Sequence, residues 1–262
     1  MSAIISSIHY CPVKSVSFQN IESCEINKNG IANDRIFAFA KELNQEETKL
    51  FEKDPESRKG SWNKILTLKN SPVLNKYNFV LKENNLILTQ KNEKLFSIDF
   101  NVPSERETLS NKIAKLEPSL KKPITLMKNL DFPFYDTSIS KNVDFLNSVS
   151  LLNLNSIKDF EDKIGKKIER SVFRGNICVE GIDAWVERKW IGKTIKINDV
   201  AFKVKKNIPR CVAINLKPET DDNTFSLLQE LKKTFNHFEM GIYLTPINRG
   251  SIKKADKVEL IS

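Results

Sequence analysis

The sequence predicts an α+β fold made mostly of β-strands in a barrel-like architecture. Three observations predict it: many short segments alternate apolar and polar residues, a few segments have helical spacing, and turn residues separate them. Of the 262 residues, 40% are hydrophobic and 16 are Phe, which suffices for a packed core and is too much for a disordered chain. Many short strands with a few helices imply a barrel-like arrangement.

The N-terminal part of the chain reads as strands followed by a helix. Alternation indicates strands at residues 3–9, 21–26 and 35–40 and a meander at residues 77–100. Residues 41–61 are charged and nearly lack periodicity, so we expect an exposed excursion that holds a short helix. Residues 104–116 have helical spacing, and Ser104 is the expected N-cap.

A break in the helical pattern marks the expected domain boundary. Pro118 and Pro123 flank a pair of lysines after this helix, so we expect the chain to divide into residues 1–120 and 121–262. In the second unit, a helix is expected to start at Ser156. Short strands are then expected from residue 172, including CVAINL at 211–216, with another helix at about residues 225–235 and two last strands.

Cysteine and histidine usage excludes several kinds of site. The four cysteines show no CxxC spacing and there are only two histidines, so we expect no zinc site or iron–sulfur cluster made by this chain alone. No apolar run is long enough to span a membrane, and the start lacks the features of a signal peptide. Free thiols fit a reducing compartment, and we expect a cytoplasmic protein.

The formal charge of +9 raises the alternative of a nucleic-acid-binding barrel. Lysine dominates that charge, acidic residues are interspersed, and the aromatic-rich strand motifs of single-strand binders are absent from the sequence. These features argue against nucleic acid as the main partner. A basic pocket for one anionic small molecule explains the same excess more economically.

Cys211 is the first candidate for chemistry. It follows Pro209 and Arg210 after a basic strand, a setting that favours a thiolate acting as nucleophile or metal ligand. A lone cysteine more often packs as a small buried apolar residue. The surrounding motifs must therefore decide between a packing role and a chemical role for Cys211.

Six short motifs occur in order along the chain: CPVKS at 11–15, G30 with NDR at 33–35, YDTS at 135–138, VFRGNI at 172–177, IPRC at 208–211 and NRGSI at 248–252. In this order and spacing they resemble MOSC proteins with an N-terminal MOSC-N barrel. Among these, they resemble the mitochondrial amidoxime-reducing components and bacterial reductases of N-hydroxylated bases. The resemblance covers nearly the whole chain. It implies a small MOSC-N barrel-like domain at residues 1–120 packed on a MOSC barrel with a few helices at 121–262.

The resemblance also implies a molybdenum cofactor, molybdopterin with molybdenum, held by the Cys211 thiolate. Soft sulfur suits a high-valent molybdenum centre. Because the pterin carries a phosphate, the remaining site residues should supply cations and hydrogen-bond donors. The residues at the corresponding positions of this chain are Lys14, Ser15, Arg35, Lys69, Thr137, Ser138, Arg174, Asn176 and Arg210.

Four features depart from the family pattern. Cys11 stands where relatives place Tyr, Lys69 stands in place of Arg, and Gly175 replaces a Pro, which we expect to leave its loop less rigid. The excursion at 41–61 is longer than expected and could form a lid over the substrate.

The activity implied is the reduction of a small N-hydroxylated substrate from N–OH to N–H, with release of water. The chain has no ferredoxin-type cysteine spacing, so electrons are expected from a separate donor: a ferredoxin, a flavoprotein or a haem protein. His9 and His237 are expected to be structural. The alternative from another class is a cofactor-binding or sulfur-carrier module that holds a persulfide on Cys211.

Overall fold

A computed structural model describes residues 3–61, 63–135 and 149–261 of the chain. Thr137 and Ser138 lie outside these residues. The first nine strands are β1 (Ala3–Tyr10), β2 (Gln19–Ile21), β3 (Ser23–Asn27), β4 (Gly30–Ile31), β5 (Phe37–Lys41), β6 (Asn78–Lys82), β7 (Asn85–Gln90), β8 (Glu93–Asp99) and β9 (Ile124–Lys128). The others are β10 (Val149–Asn153), β11 (Ile177–Glu180), β12 (Thr194–Ile197), β13 (Val200–Pro209), β14 (Glu239–Pro246), β15 (Gly250–Lys253) and β16 (Lys257–Leu260). The helices are α1 (Gln45–Lys53), α2 (Pro103–Leu116), α3 (Leu154–Ile164) and α4 (Leu227–Phe235).

Seven strands close into a barrel. They follow the order β11-β10-β14-β13-β12-β16-β1, and β1 pairs with β11 to complete the circle, while β2 extends from β1 outside it. Only the β10–β11 pair is parallel. Ile5, Phe202 and Leu244 are among the buried residues that fill the interior. The predicted α+β, mostly-β fold class with a β-barrel is confirmed.

The rest of the N-terminal half is built from small sheets and two helices. The predicted meander is present as β6-β7-β8, and β5 pairs with β9. Phe37, Phe79 and Leu109 belong to a second core cluster that joins these strands to α2. Because β1 belongs to the barrel, the N-terminal residues contribute to both parts of the molecule. The boundary at residue 120 stays a prediction.

Two helices begin earlier than predicted. The N-cap of α2 is Val102, because Pro103 occupies the first helical position, where its fixed φ suits a helix start. The N-cap of α3 is Asn153, whose side chain accepts a hydrogen bond from the backbone N–H of Asn155. Ser156 instead lies buried in the first turn and donates its hydroxyl to the carboxylate of Glu187.

The predicted strand at 211–216 is wrong. The chain leaves β13 at Pro209 and forms a 3-10 turn at Val212–Asn215, in which the backbone N–H of Ile214 bonds the Cys211 carbonyl at 3.1 Å. The apolar run therefore packs as a turn, with Ile214 buried in a cluster beside α4. Cys211 thus lies at a strand-to-turn junction.

The excursion at 41–61 contains the expected short helix, α1. A capping box between Asn44 and Glu47 starts this helix, and Phe51 is buried against Met127 and Phe134. The Glu52 carboxylate accepts from the Lys128 backbone N–H at 2.8 Å. The segment is therefore docked on β9. In the described part of the chain, no helix has the length and apolar character needed to cross a membrane.

Candidate functional site

Two loops of the N-terminal half interlock through their backbones. The N–H groups of Arg35 and Phe37 donate to the carbonyls of Cys11 and Pro12 at 2.7 and 2.9 Å, and the Lys14 N–H donates to the Phe37 carbonyl at 2.8 Å. The predicted motifs CPVKS and NDR are thereby held side by side.

Lys14 and Ser15 lie within this framework rather than on the surface. Both residues are buried, and Ser15 has a φ of 64°. Arg35 also has a positive φ, at 55°. Such φ values are uncommon for residues other than glycine and cluster at functional sites, where the surrounding structure must hold them.

Asp34 is the hydrogen-bonding centre of the two loops. Its fully buried carboxylate accepts from the Cys11 N–H at 3.0 Å, from Arg35 Nη1 at 2.7 Å and from Asn176 Nδ2 at 3.2 Å. Burial raises the pKa of Asp34, and the Arg35 charge and the hydrogen bonds oppose that rise. Asp34 therefore positions the Arg35 side chain.

Asn176 connects these loops to the barrel. Its Nδ2 also donates to the His9 carbonyl at 3.1 Å, and its Oδ1 accepts from the backbone N–H and the hydroxyl of Ser150 at 3.1 and 2.8 Å. The side chain is completely buried. Among the described residues, both ends of the Asn176 amide form hydrogen bonds to protein groups. Asn176 therefore stabilises the arrangement of the two loops and the barrel.

Two arginines from distant parts of the sequence converge on one aromatic ring. The guanidinium carbons of Arg35 and Arg174 lie 5.0 and 4.6 Å from the centroid of Phe18. Arg35 also lies 5.3 Å from the centroid of Tyr135. The planar guanidinium group of arginine is attracted to the face of an aromatic ring, and arginine makes this contact more often than lysine. The sequence motifs identified both arginines but not the role of either ring.

Cys11 places a second thiol among these cations. Arg174 Nη2 lies 4.0 Å from Cys11 Sγ, and the side chain is completely buried. Burial, followed by the Asp34 charge, raises the pKa of Cys11 to about 12, although Arg35, Arg174 and Lys14 act in the opposite direction. Cys11 is therefore a neutral thiol at physiological pH.

We call Lys14, Arg35 and Arg174 the cationic cluster.

Arg210 and Cys211 lie at the end of β13. The Arg210 guanidinium donates to the backbone carbonyls of Met240 and, at 2.6 Å, Phe173, so it ties β14 to the residue that precedes Arg174. Burial lowers the pKa of Arg210 to about 10, which leaves it charged. Cys211 is a free, partly exposed cysteine.

A cavity of about 220 Å³ adjoins these elements. Arg174 and Phe18 line it together with Ala213, which lies two residues after Cys211. Leu68 also lines it, whereas its neighbour Lys69 is exposed. The cavity therefore borders the cationic cluster, the Cys211 turn and the Lys69 segment. Its wall also holds residues without a sequence motif: Asn75, Glu169 and Glu219.

The structure brings most of the predicted site residues into one region. Lys14, Ser15, Arg35, Arg174 and Asn176 share the framework around Asp34, and Arg210 is bonded to the residue beside Arg174. Among the residues that the structure describes, no group of three or more His, Cys, Asp or Glu side chains could hold a metal ion.

Solved structures show only a weak likeness. The structural alignment with the YuaD protein of Bacillus subtilis covers 99% of this chain and 96% of that protein. Its TM-score is 0.46, and the sequence identity is 10%. The alignment with YiiM of Geobacillus stearothermophilus covers 52% of this chain and 67% of that protein, with a TM-score of 0.37 and 13% sequence identity.

Curated relatives match parts of the sequence more clearly. Molybdenum cofactor sulfurase of Bombyx mori is 31% identical over 103 residues, which are 38% of this chain and 12% of that protein. Mitochondrial amidoxime reducing component 2 of Rattus norvegicus is 33% identical over 72 residues, 28% of this chain and 21% of that protein. Mitochondrial amidoxime-reducing component 1 of Homo sapiens is 26% identical over 123 residues, 42% of this chain and 36% of that protein.

The chain thus spans 12–36% of the length of these relatives. Residues 146–259, which include most of the barrel strands and Cys211, match the family model of the MOSC domain. Residues 146–259 of this chain therefore carry a MOSC domain.

Proposed function

We propose that this protein binds a molybdenum cofactor and uses it to reduce small N-hydroxylated substrates. The observation that carries the proposal is the convergence of Arg35 and Arg174 on Phe18, at 5.0 and 4.6 Å, beside a cavity that reaches the Cys211 turn. The MOSC domain and the names of the matched relatives support an association with this cofactor.

The residues present fit the chemistry of that group. A molybdopterin is anionic at its phosphate and has a flat, hydrogen-bonding ring system, so it needs cations, hydrogen-bond donors and a flat surface. The cationic cluster and the Phe18 ring supply these features in one place, and planar guanidinium groups suit phosphate oxygens. Cys211 offers a partly exposed soft sulfur ligand.

Lys14, Arg35 and Arg174 would hold the cofactor by charge, and Ser15 by its hydroxyl or backbone N–H. Thr137 and Ser138 are proposed for the same pocket from sequence. We also propose that Lys69 and Arg210 contribute to this pocket. When bound, the cofactor would supply a two-electron redox centre for removing the oxygen of an N–OH group, and Cys211 would hold it as a thiolate ligand.

The balance of the reaction requires a separate reductant. Converting N–OH to N–H with release of water consumes two electrons and two protons. We propose that a ferredoxin, a flavoprotein or a haem protein delivers the electrons, and the net charge of +9 suits an acidic donor.

Replacement of the proposed ligand tests this function most directly. We expect Cys211→Ala to lower the molybdenum content of the purified protein and to abolish reduction of N-hydroxylated compounds by a chemical electron donor. Cys24→Ala is the matched control, because Cys24 is also a free, partly exposed cysteine but lies on β3. Unchanged molybdenum content and activity in Cys211→Ala would refute the proposal.

A second variant tests the cationic cluster separately. We expect Arg174→Gln to reduce the amount of pterin retained by about tenfold, since a charge-assisted hydrogen bond is lost. Lys189→Gln, an exposed cation in the 3-10 turn at Val186–Trp190, should retain the pterin. Equal retention by the two variants would remove Arg174 from the cofactor site.

The match to a molybdenum cofactor sulfurase favours one alternative, a sulfur-carrier module. In that function Cys211 would hold a persulfide and pass its outer sulfur to the cofactor. Mass spectrometry of the intact protein distinguishes the two. One additional sulfur atom on Cys211 without stoichiometric molybdenum supports the carrier, whereas stoichiometric metal supports the reductase.

A further inference from the structure

A second cavity, of about 470 Å³, lies on the outside of the barrel. Four basic residues from three separate segments line it: Lys28 from the β3–β4 turn, Lys203 and Lys205 from β13, and Arg249 from the segment after β14. We call this cavity the lysine groove. It has no residue in common with the cavity beside Arg174.

The strand geometry explains why the two β13 lysines share one face. Phe202 and Val204 are buried in the barrel core, whereas Lys203 and Lys205 are exposed, the latter at a register shift between Val204 and Lys206. Lys203 is paired with Thr245 of β14, which also lines the groove. The two β13 lysines and the residues at the end of β14 therefore line the same groove.

No acidic side chain of the described residues balances the charge in this groove. Within residues 3–61, 63–135 and 149–261, none of the four cations has an ion pair, and no acidic side chain lines the groove. Like charges gathered in one groove repel each other, and an anion bound between them relieves that repulsion. The groove therefore has the electrostatics of an anion site.

The segment that carries Arg249 is held in place by its neighbours. Asn248 accepts from the Ala201 N–H at 2.7 Å and donates to the Asp199 carbonyl at 2.8 Å. Gly250 packs so closely that a Cβ there would lie 2.7 Å from a Val200 methyl carbon. The Asn-Arg-Gly motif, which the cofactor site does not use, therefore presents Arg249 from a braced backbone.

We propose that the lysine groove binds a small ligand that bears phosphate groups, which goes beyond the proposed reductase function. The guanidinium fork of Arg249 suits two phosphate oxygens, and the lysines supply point charges around them. The volume is in the range of small-molecule sites. The described residues of the groove include no aromatic side chain on which nucleic-acid bases could stack, so a small ligand is favoured over a single strand.

Inorganic tripolyphosphate is the probe for a calorimetric titration of the full-length protein. We expect saturable binding that Arg249→Gln weakens by about tenfold and that a Lys203→Gln, Lys205→Gln double variant weakens further. Arg249→Lys should retain part of the affinity. Lys94→Gln, an exposed lysine on β8, is the control and should bind like the parent. The side chains replaced are exposed, and unchanged circular dichroism would confirm that each variant is folded.

Three outcomes would overturn the proposal. The first is equal affinity of Arg249→Gln and the parent. The second is a loss of binding in Arg174→Gln but not in Arg249→Gln, which would place the probe in the proposed cofactor site. The third is tighter binding of a single-stranded oligonucleotide, or of vesicles containing phosphatidylglycerol, through Arg249. These would identify a nucleic acid or a lipid surface as the partner instead. None of these results depends on Cys211 or on molybdenum, so failure here leaves the proposed function standing.

Discussion

Asn176 Nδ2 donates a hydrogen bond to Asp34 Oδ2 over 3.2 Å, and both side chains are completely buried. This bond joins the loop that carries Arg35 to the segment between Arg174 and β11. The two arginines of the cationic cluster are therefore fixed relative to each other by a polar contact between their sequence neighbours.

We expect Asp34→Ala to lower the free energy of unfolding by about 3 kcal/mol, since three donors, including the Cys11 N–H and the Arg35 guanidinium, lose their acceptor in a buried region. Asp34→Asn should cost less, because its amide oxygen can keep one of these bonds. Urea denaturation of both variants measures the effect.

Asp162→Ala serves as the control for this change, because Asp162 is exposed on α3. Its substitution should alter the free energy of unfolding by at most about 0.5 kcal/mol. Equal losses in the Asp34 and Asp162 variants would show that the buried hydrogen bonds do not stabilise the junction.

Gly175 is required by close packing. A Cβ at this position would lie 2.3 Å from Leu152 Cδ1, so Gly175→Ala forces one of the two to move. We expect a loss of about 2 kcal/mol, the usual cost of overpacking a core. Thermal denaturation measures it. The same contact shows why proline, which also carries a Cβ, does not fit beside Leu152 here.

A double-mutant cycle separates this clash from other effects. Leu152→Ala alone should destabilise by about 3 kcal/mol through the cavity it leaves. It also makes room for the new methyl group, so the double variant should be no less stable than Leu152→Ala alone. Strictly additive losses would argue against the clash as the cause.

Local alternation predicted the meander β6-β7-β8 well, because each strand there pairs with its neighbour in sequence. The closure of the barrel pairs β1 with β11, far apart in the chain, and no local pattern states which strand meets which. The early start of α2 followed from Pro103, whose preference for the first helical position outweighed capping by Ser104.

The residues of the candidate site also differ in whether the sequence could identify them. Motifs identified Arg35 and Arg174 because the residue types and their order are visible in sequence. They did not identify Phe18 and Tyr135 as the rings beside these cations, since that contact depends on how separate loops pack. The sequence alone predicts a less rigid loop at Gly175, whereas the close approach of Gly175 to Leu152 is a property of the folded core.

Glu52 holds the charged excursion on β9. Besides the Lys128 N–H, its carboxylate accepts from Arg106 Nη1 at 2.9 Å. We expect Glu52→Ala to destabilise the protein by about 1–2 kcal/mol and to increase hydrogen exchange in α1. Glu46→Ala on the exposed side of the same helix should leave exchange nearly unchanged. Equal exchange in the two variants would mean that other contacts, such as buried Phe51, are sufficient to dock the helix.

His9 gives the fold a specific sensitivity to acid. Burial, followed by the Arg170 charge, lowers its pKa from 6.5 to about 4, and its Nε2 lies 2.9 Å from Ser7 Oγ. A proton therefore binds more readily to the unfolded chain than to the folded one between these two values. The stability that neutral His9 allows is fully present above pH 6.5 and is lost as the pH falls towards about 4.

We expect this loss to reach about 2 kcal/mol after allowance for partial exposure of the ring. Carboxylates titrate in every variant, so the informative quantity is the difference in unfolding free energy between His9→Gln and the parent across pH 4 to 7. That difference should shift in favour of His9→Gln as the pH falls, because the glutamine side chain takes up no proton. A difference that stays constant over this range would show that His9 is not the group responsible.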